Sequence, residues 1–447
     1  MIAPWFFERL ATWGDDPALV WKGESTSYRA LLAQTERWQA ELEARGIGAG
    51  DVVALEGSFS PSACGALLAL VRLGAVAVPL TPLMRAHREK FLEIAEARLC
   101  LEFDARDEAA FFETNHRVTN ALTQKLVARG HAGLVIFSSG STGSPKAILH
   151  DFSAILEKFE QIRQKKSTLT FLLFDHIGGI DTLFNTCASG GTVVTVEQRD
   201  PETVCRAIEA HRVHTLPTSP TFLNLLLMSG VAEEHDLSSL RVIAYGTEPM
   251  PESTLQRLHA RLPDVALVQT YGMSELGVLR SRSKDSESLW LKFSGDGFET
   301  KVVAGVLWVR AKTAMLGYLN APDLFDADGW LNTQDAVEVD GEYMRILGRA
   351  SELINVGGQK VYPAEVENHL LQMDNVREVA VFGKAHPMMG QIVVARFNLE
   401  QPEPADVFKR RMMEFCRARM ANYQIPRLIE FSDSDQFGTR FKKLRNG

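Results

Sequence analysis

The 447-residue sequence predicts an α/β protein: a large N-terminal domain with mainly parallel sheets flanked by helices plus a β subdomain, and a small α+β C-terminal domain. Three observations carry that prediction. Strand-like and helix-like patterns alternate over the first three quarters of the chain, as in parallel sheets with helical crossovers. After about Lys292 the alternation gives way to short β segments. Beyond Arg349, about 100 residues hold enough apolar helix and strand to bury a core of their own. At roughly 150 residues per domain, the chain has room for two or three.

The elements follow in order. Residues 28–45 place apolar side chains at helical spacing and stop at Gly46. Residues 52–55 form a short extended run, 62–73 read as a helix, and 75–80 as a buried strand bounded by Pro79 and Pro82. The alternation continues with strand 134–137, helix 152–165, strand 170–174, helix 180–188, strand 192–196 and helix 201–212. Strand 242–245, helix 251–262 and strand 266–270 complete it. The later β segments are 300–310, 336–339 and 342–347, with a turn at Asp340-Gly341. The last unit reads as helix 363–373, strands 376–382 and 392–398, and helix 407–420. The domain division is 1–348 and 349–447, with no internal repeat.

Composition narrows the function. Hydrophobic residues make up 45% and charged residues 23%, the balance of a globular protein rather than a disordered one. Lys and Arg number 48 against 56 Asp and Glu, a net charge of −8, which argues against nucleic acid as a partner. The cysteines Cys64, Cys100, Cys187, Cys205 and Cys416 are scattered and form no C-x-x-C pair, which fits a reduced, cytoplasmic protein without structural zinc. The N-terminal residues lack a basic signal-peptide region. The longest apolar stretch, residues 63–80, is broken by Arg72 and Gly74, too short and interrupted for a membrane span.

The strongest chemical signal is Phe137-Ser-Ser-Gly-Ser-Thr-Gly-Ser-Pro-Lys-Ala147. An apolar strand runs into glycines that free backbone N–H groups to form an anion nest, with hydroxyl donors and a closing lysine. That chemistry suits a polyphosphate, and Gly-Lys-Ser/Thr of the Walker A loop is absent. Four further segments stand downstream: Tyr245-Gly-Thr-Glu-Pro-Met250, Gln269-Thr-Tyr-Gly-Met-Ser-Glu-Leu-Gly277, Trp330-Leu-Asn-Thr-Gln-Asp335, and Gly348-Arg349 with the glycines Gly357 and Gly358 after it.

Taken together and in this order, these segments resemble the AMP-forming acyl and aryl-acid ligases, the adenylate-forming superfamily of acyl-CoA synthetases, adenylation domains of peptide synthetases and beetle luciferases. The resemblance covers nearly the whole chain. It implies ATP and Mg²⁺ as cofactors and CoA or phosphopantetheine as the acceptor thiol. It assigns Ser138, Ser139, Gly140, Ser141, Thr142, Gly143 and Lys146 to the phosphates, with Thr142 among the catalytic residues. Gly246, Thr247 and Glu248 would line the nucleotide, and Tyr271, Gly272 and Ser274 would contact adenine and the α-phosphate. Glu275 would hold the metal, and Asp335 and Arg349 would contact the ribose. Mg²⁺ commonly takes one or two carboxylates plus phosphate oxygens, so a single glutamate is sufficient chemistry.

Some positions depart from the family pattern. Gln334 stands where a glycine is usual, and Ser351 stands at the hinge, near 350–352, about which a mobile C-terminal domain would turn. The tail Phe431-Ser-Asp-Ser-Asp-Gln-Phe-Gly-Thr-Arg-Phe-Lys-Lys-Leu-Arg-Asn-Gly447 lacks the family's Gly-Lys pair. An ungapped match makes Lys442 the catalytic lysine, with Lys443 and Arg440 as neighbours that could replace it. His176, in Leu172-Leu-Phe-Asp-His-Ile-Gly-Gly-Ile180, resembles the acid-pocket histidine of acyl- and aryl-acid members, with Pro217-Thr218-Ser219 as a floor. Amino-acid-activating members have an Asp for the ammonium group, and Asp175 is one residue off that register.

The expected function is ATP-dependent activation of a fatty, acyl or aryl acid to an acyl-adenylate, then transfer to CoA or a carrier-protein phosphopantetheine. The partners are a small-molecule carboxylic acid and an acyl or peptidyl carrier protein. An amino-acid-activating stand-alone enzyme, a luciferase-like adenylate oxidase and a non-catalytic nucleotide-binding homologue are the alternatives. The compact stretch between Pro79 and Ser138 fits a stand-alone enzyme serving a carrier protein.

Overall fold

The computed structural model describes residues 3–138 and 145–445. Two seven-stranded sheets form its larger part. In the first, the parallel strands Leu99–Phe103, Val52–Glu56, Val76–Leu80 and Gly133–Ser138 lie side by side. Antiparallel Ala109–Glu113 closes one edge, and Lys146–Asp151 with Gly317–Tyr318 closes the other. In the second, Ala266–Gln269, Val242–Tyr245, Thr215–Thr218, Ser167–Leu169, Thr192–Val194 and Pro17–Trp21 run parallel, and Glu24–Ser27 folds back antiparallel.

The helices Tyr28–Ala44, Pro61–Leu73 and Ile177–Ala188 share one core with side chains of both sheets. Residues 62–71 are buried without interruption, which is why that helix shows no polar face. A six-stranded antiparallel sheet follows, from Ser281–Ser283 to Tyr343–Arg349. The separate C-terminal domain packs Pro363–Leu370 and Ala405–Arg417 on a sheet built around the long hairpin Val376–His386 and Gly390–Leu399.

Three expected elements differ from those observed. The helix expected over 152–165 ends at Glu157, because beyond the buried Phe159 the chain offers only exposed residues, Ile162 among them. The strand expected over 170–174 is irregular, and the sheet strand is Ser167–Leu169. Phe171 and Phe174 are drawn into two different cores, so this segment crosses between layers instead of extending a ladder. The segment 300–310 is a hairpin of Phe298–Val303 and Val306–Ala311. Its turn residues Ala304 and Gly305 have φ of 51° and 77°, the positive pair that a two-residue hairpin turn demands.

Candidate active site

The second sheet presents the carboxyl ends of its parallel strands to a cleft, the usual ligand position of an open α/β sheet. Thr218 ends one strand, Tyr245-Gly246-Thr247 leaves the next, and Gln269-Thr270-Tyr271 leaves the third. Buried polar atoms of these segments have no hydrogen-bond partner among the described residues: Thr218 Oγ1, Tyr245 OH, Thr247 Oγ1 and Gln269 Oε1. A Cβ on Gly246 would stand 2.6 Å from Thr270 Oγ1, so only glycine lets the two strand ends approach this closely. Gly272 serves packing in the same way, since a Cβ there would meet the carbonyl oxygen of Gly277 at 2.8 Å.

Ser138 and Lys146 face each other across the last register of an antiparallel strand pair. Ser139, Gly140, Ser141, Thr142 and Gly143 lie outside the described residues. Asn320 braces the second arm, donating to the Pro145 carbonyl at 2.9 Å and accepting from the Ala147 N–H at 2.9 Å. The Lys146 ammonium lies 5.2 Å from the centre of the Tyr318 ring.

Tyr318 ties this region to the carboxylate assigned to the metal. Its hydroxyl donates to Glu275 Oε1 at 2.8 Å, and Glu275 Oε2 has no partner among the described residues. The neighbouring Ser274 carbonyl meets the Nε2 of the buried His150 at 2.6 Å, and burial lowers the pKa of His150. No group of three or more His, Cys, Asp or Glu able to hold a metal occurs among the described residues. A metal at Glu275 would therefore depend on phosphate oxygens for other ligands, and Glu275 with its free oxygen fits that arrangement.

Asp335 gathers the ribose-assigned residues. Its Oδ2 accepts from the Tyr271 hydroxyl at 2.6 Å, and its Oδ1 pairs with Arg349 Nε at 2.9 Å. Arg349 also donates to the Thr333 carbonyl at 2.8 Å. Burial raises the pKa of Asp335 and Arg349 opposes that shift, while burial and Asp335 together raise that of Tyr271. Gln334 has φ of 59°, so the usual glycine position is a left-handed turn filled by a residue with a Cβ.

His176 caps the helix Ile177–Ala188, its Nδ1 accepting the Gly178 N–H at 3.0 Å. That bond leaves the ring proton on Nε2 as a donor. Enclosure by protein, reinforced by Lys442, Arg440 and Arg199, depresses its pKa to about 3, so the ring is neutral near pH 7. A Cβ on Gly179 would collide with the Leu173 carbonyl oxygen at 2.2 Å, which explains the glycine of the His-Ile-Gly-Gly segment.

The C-terminal tail reaches this same cleft. Its 436–444 segment is a tight hairpin, with Leu444 N–H on the Gln436 carbonyl at 2.7 Å and Gly438 N–H on the Lys442 carbonyl at 3.0 Å. Phe441 has φ of 51°, so it adopts the left-handed conformation expected of the glycine in the missing Gly-Lys pair. Lys442 is accessible to solvent yet ringed by protein at depth. That enclosure lowers its pKa, and Glu248, Arg349, Arg440 and Glu275 are the charges it feels. Lys443 pairs with Glu367 and Arg440 with Asp175, so the two alternatives to Lys442 are committed to ion pairs.

Glu248, expected to line the nucleotide, is held by its neighbours. Its Oε1 accepts the Thr221 N–H at 2.8 Å and its Oε2 the Lys443 N–H at 3.1 Å, so its carboxylate is engaged beside the tail. Sequence reasoning did not single out Tyr318, Asn320, His150 or Arg199. Each acts through a partner distant in sequence, and no local pattern marks such a residue.

The AMP-binding enzyme model matches residues 6–319, and the AMP-binding enzyme C-terminal domain model matches 365–442. A 3-[(3aS,4S,7aS)-7a-methyl-1,5-dioxo-octahydro-1H-inden-4-yl]propanoyl:CoA ligase of Rhodococcus jostii is 30% identical, over 78% of this chain and 71% of its own. The indoleacetate–CoA ligase of Aromatoleum aromaticum is 28% identical over 91% of this chain and 89% of its own. Among solved structures, the anthranilate CoA ligase AuaEII with anthranoyl-AMP superposes with a TM-score of 0.84 at 22% identity, covering 98% of this chain and 95% of that one. No helix among the described residues is long and apolar enough to cross a membrane.

Proposed function

This chain belongs to the AMP-binding enzyme family, and on that premise we propose that it activates a carboxylic acid lacking an α-amino group as an acyl-adenylate and passes the acyl group to CoA. In the first half-reaction a carboxylate oxygen attacks the α-phosphorus of ATP, the bond to the bridging oxygen breaks, and pyrophosphate leaves. In the second, the thiol sulfur attacks the acyl carbon and AMP departs. The protein contributes positioning and charge, with no covalent enzyme intermediate.

The observation that carries this reading is Lys442. One ammonium is close enough to act electrostatically on His176, at the acid end, and to feel Glu275, at the metal end. A cation there serves a carboxylate and an α-phosphate that must approach each other. The neutral His176 offers its Nε2–H to the acid, Asp335 retains lone pairs for ribose hydroxyls, and Arg349 holds Asp335 in place. Ser138 and Lys146 flank in sequence residues 139–143, to which the family resemblance assigns the phosphates. Mg²⁺, held by Glu275, neutralises phosphate charge when bound. The domain division at 348/349, with a hinge at Ser351, would let Lys442 withdraw and Gly357-Gly358 flank the incoming thiol.

The acid lacks an α-amino group on this reading because Asp175 is one residue off the ammonium-binding register and its carboxylate is already paired with Arg440. The test is pyrophosphate release with indoleacetate, anthranilate, fatty acids and α-amino acids, each with CoA or a phosphopantetheinylated carrier protein as acceptor. We expect turnover with aryl or aliphatic acids and thioester on CoA. Turnover confined to α-amino acids overturns the substrate class. Thioester formed only on a carrier protein overturns the acceptor.

A further inference from the structure

The tail touches the large domain through consecutive residues of different chemistry. The Thr439 carbonyl accepts from Arg199 Nη2 at 2.7 Å. Arg440 Nη2 donates to Asp175 Oδ2 at 2.8 Å. The Phe441 ring lies 5.3 Å from Phe171, 5.9 Å from Phe222 and 5.3 Å from the Arg199 guanidinium. Lys443 N–H meets Glu248 Oε2 at 3.1 Å. Between these anchors, the Lys442 ammonium makes no ion pair or hydrogen bond among the described residues.

The receiving groups are prepared for this contact. Asp175 is 3% exposed, accepts from Thr81 Oγ1 at 3.3 Å, and has an Oδ1 with no partner among the described residues. Without Arg440 the carboxylate would be buried beside one weak hydroxyl donor, an arrangement that favours its protonation over its charged form. Phe171 and Phe222 belong to the core of the second sheet, so Phe441 lands on a rigid platform. The root of the tail is tied differently. Gln436 N–H binds Glu378 at 2.9 Å, and Arg445 pairs with Glu367 at 2.9 Å and Glu352 at 2.8 Å. These root contacts stay within the C-terminal domain, so moving that domain leaves the root intact and breaks the tip contacts, together with the bond from Ser253 N–H to Asn368 Oδ1 at 3.3 Å.

We infer that Asp175, Arg199, Arg440 and Phe441 form a latch that positions Lys442 for adenylate formation and opens before thioester formation. The inference rests on Lys442 being the catalytic lysine. The latch residues are positioning residues, and their effect is confined to the first half-reaction. Removing the ion pair lets the lysine tip drift, and misplacement of about 1 Å at a reacting centre costs roughly a hundredfold.

The experiment measures the two half-reactions separately on the full chain, at saturating ATP and acid for the first and with purified acyl-adenylate and CoA for the second. Asp175→Asn and, on the tail itself, Arg440→Gln are each expected to slow adenylate formation roughly ten- to a hundredfold. Thioester formation from supplied adenylate should match wild type or exceed it, and this second rate reports that the variant is folded. Arg440→Lys, which keeps the charge, should recover part of the first rate. Equal slowing of both half-reactions in Asp175→Asn and Arg440→Gln, or adenylate formation at the wild-type rate, overturns the latch. Lys442→Ala runs in parallel: if it forms adenylate normally, the assignment of the lysine fails, whereas a slow Lys442→Ala beside normal latch variants refutes only the latch.

Discussion

Asp335→Asn tests the nucleotide assignment most directly. Each Asp335 oxygen already accepts one bond, from Tyr271 at 2.6 Å and Arg349 at 2.9 Å, and each keeps a lone pair for a ribose hydroxyl. In the variant, Arg349 can only donate, so the amide oxygen must face it. The amide nitrogen then turns to Tyr271, whose hydroxyl can accept instead. One ribose hydroxyl keeps its acceptor and the other meets a donor. A hydrogen bond to a charged acceptor contributes about 1.5–3 kcal/mol, so kcat/KM for ATP should fall about 10- to 150-fold. The fold should survive, because the Arg349 side chain is 42% exposed and water can solvate it. The assay is acid-dependent pyrophosphate exchange with ATP, 2′-deoxyATP and 3′-deoxyATP in both proteins. For one of the two analogues, the penalty seen in wild type should vanish in the variant, a coupling of the same 1.5–3 kcal/mol, roughly. If the variant discriminates against both analogues as strongly as wild type does, Asp335 does not hold the ribose.

Three further outcomes are expected. The lowered pKa of Lys442 means that its charge is lost, as pH rises, before an ordinary lysine would lose it. Adenylate formation should therefore show an alkaline limb below the usual lysine range that thioester formation lacks, and Lys442→Arg should abolish the limb; a limb common to both half-reactions would assign it elsewhere. Tyr318→Phe removes the donor to Glu275 Oε1 and should slow adenylate formation about tenfold, with partial recovery at raised Mg²⁺; recovery with raised ATP alone would point away from the metal. Gln334→Gly relieves a left-handed turn and should raise stability by a few tenths to about 1 kcal/mol, while Gln334→Val should lower it, as read by thermal unfolding.

Legibility in the sequence followed the range of the interactions. The helix Pro61–Leu73 and the strand Val242–Tyr245 were readable because burial alone selects their residues, and each pattern is local. The break after Glu157 and the irregular 170–176 segment were not, because tertiary pull on Phe159, Phe171 and Phe174 overrides periodicity. In the site, Tyr271, Asp335 and Arg349 could be named from separate segments, but their union is a product of sheet geometry. Glu248 sits within a readable motif, yet its carboxylate serves a contact 195 residues away.

The two places where this chain lacks an expected glycine share one physical account. Gln334 and Phe441 both keep the left-handed backbone, with φ of 59° and 51°, and change only the side chain. The turn geometry is what presents Asp335 and Lys442, so a missing glycine in the sequence does not mean a missing site. What differs is how the strain is offset. Gln334 is exposed, and the turn is supported by polar bonds: its own N–H to Asn332 Oδ1 at 2.9 Å and the Asp335 N–H to Thr333 Oγ1 at 3.1 Å. Phe441 gains three aromatic contacts and a cation over its ring, each about 0.5–1.5 kcal/mol, against a left-handed cost of about 1–2 kcal/mol. At Phe441 the balance favours docking only while the tail lies on the large domain. Were the tail to lift, the contacts to Phe171, Phe222 and Arg199 would be lost, leaving Phe437, at 5.3 Å, and the hairpin's own backbone bonds to support the turn. A glycine there would make the turn equally easy in either position, whereas phenylalanine couples the turn to the docked arrangement. That coupling argues against the non-catalytic alternative: a degraded tail would be free to lose its conformation, and this tail holds a strained one beside the cleft.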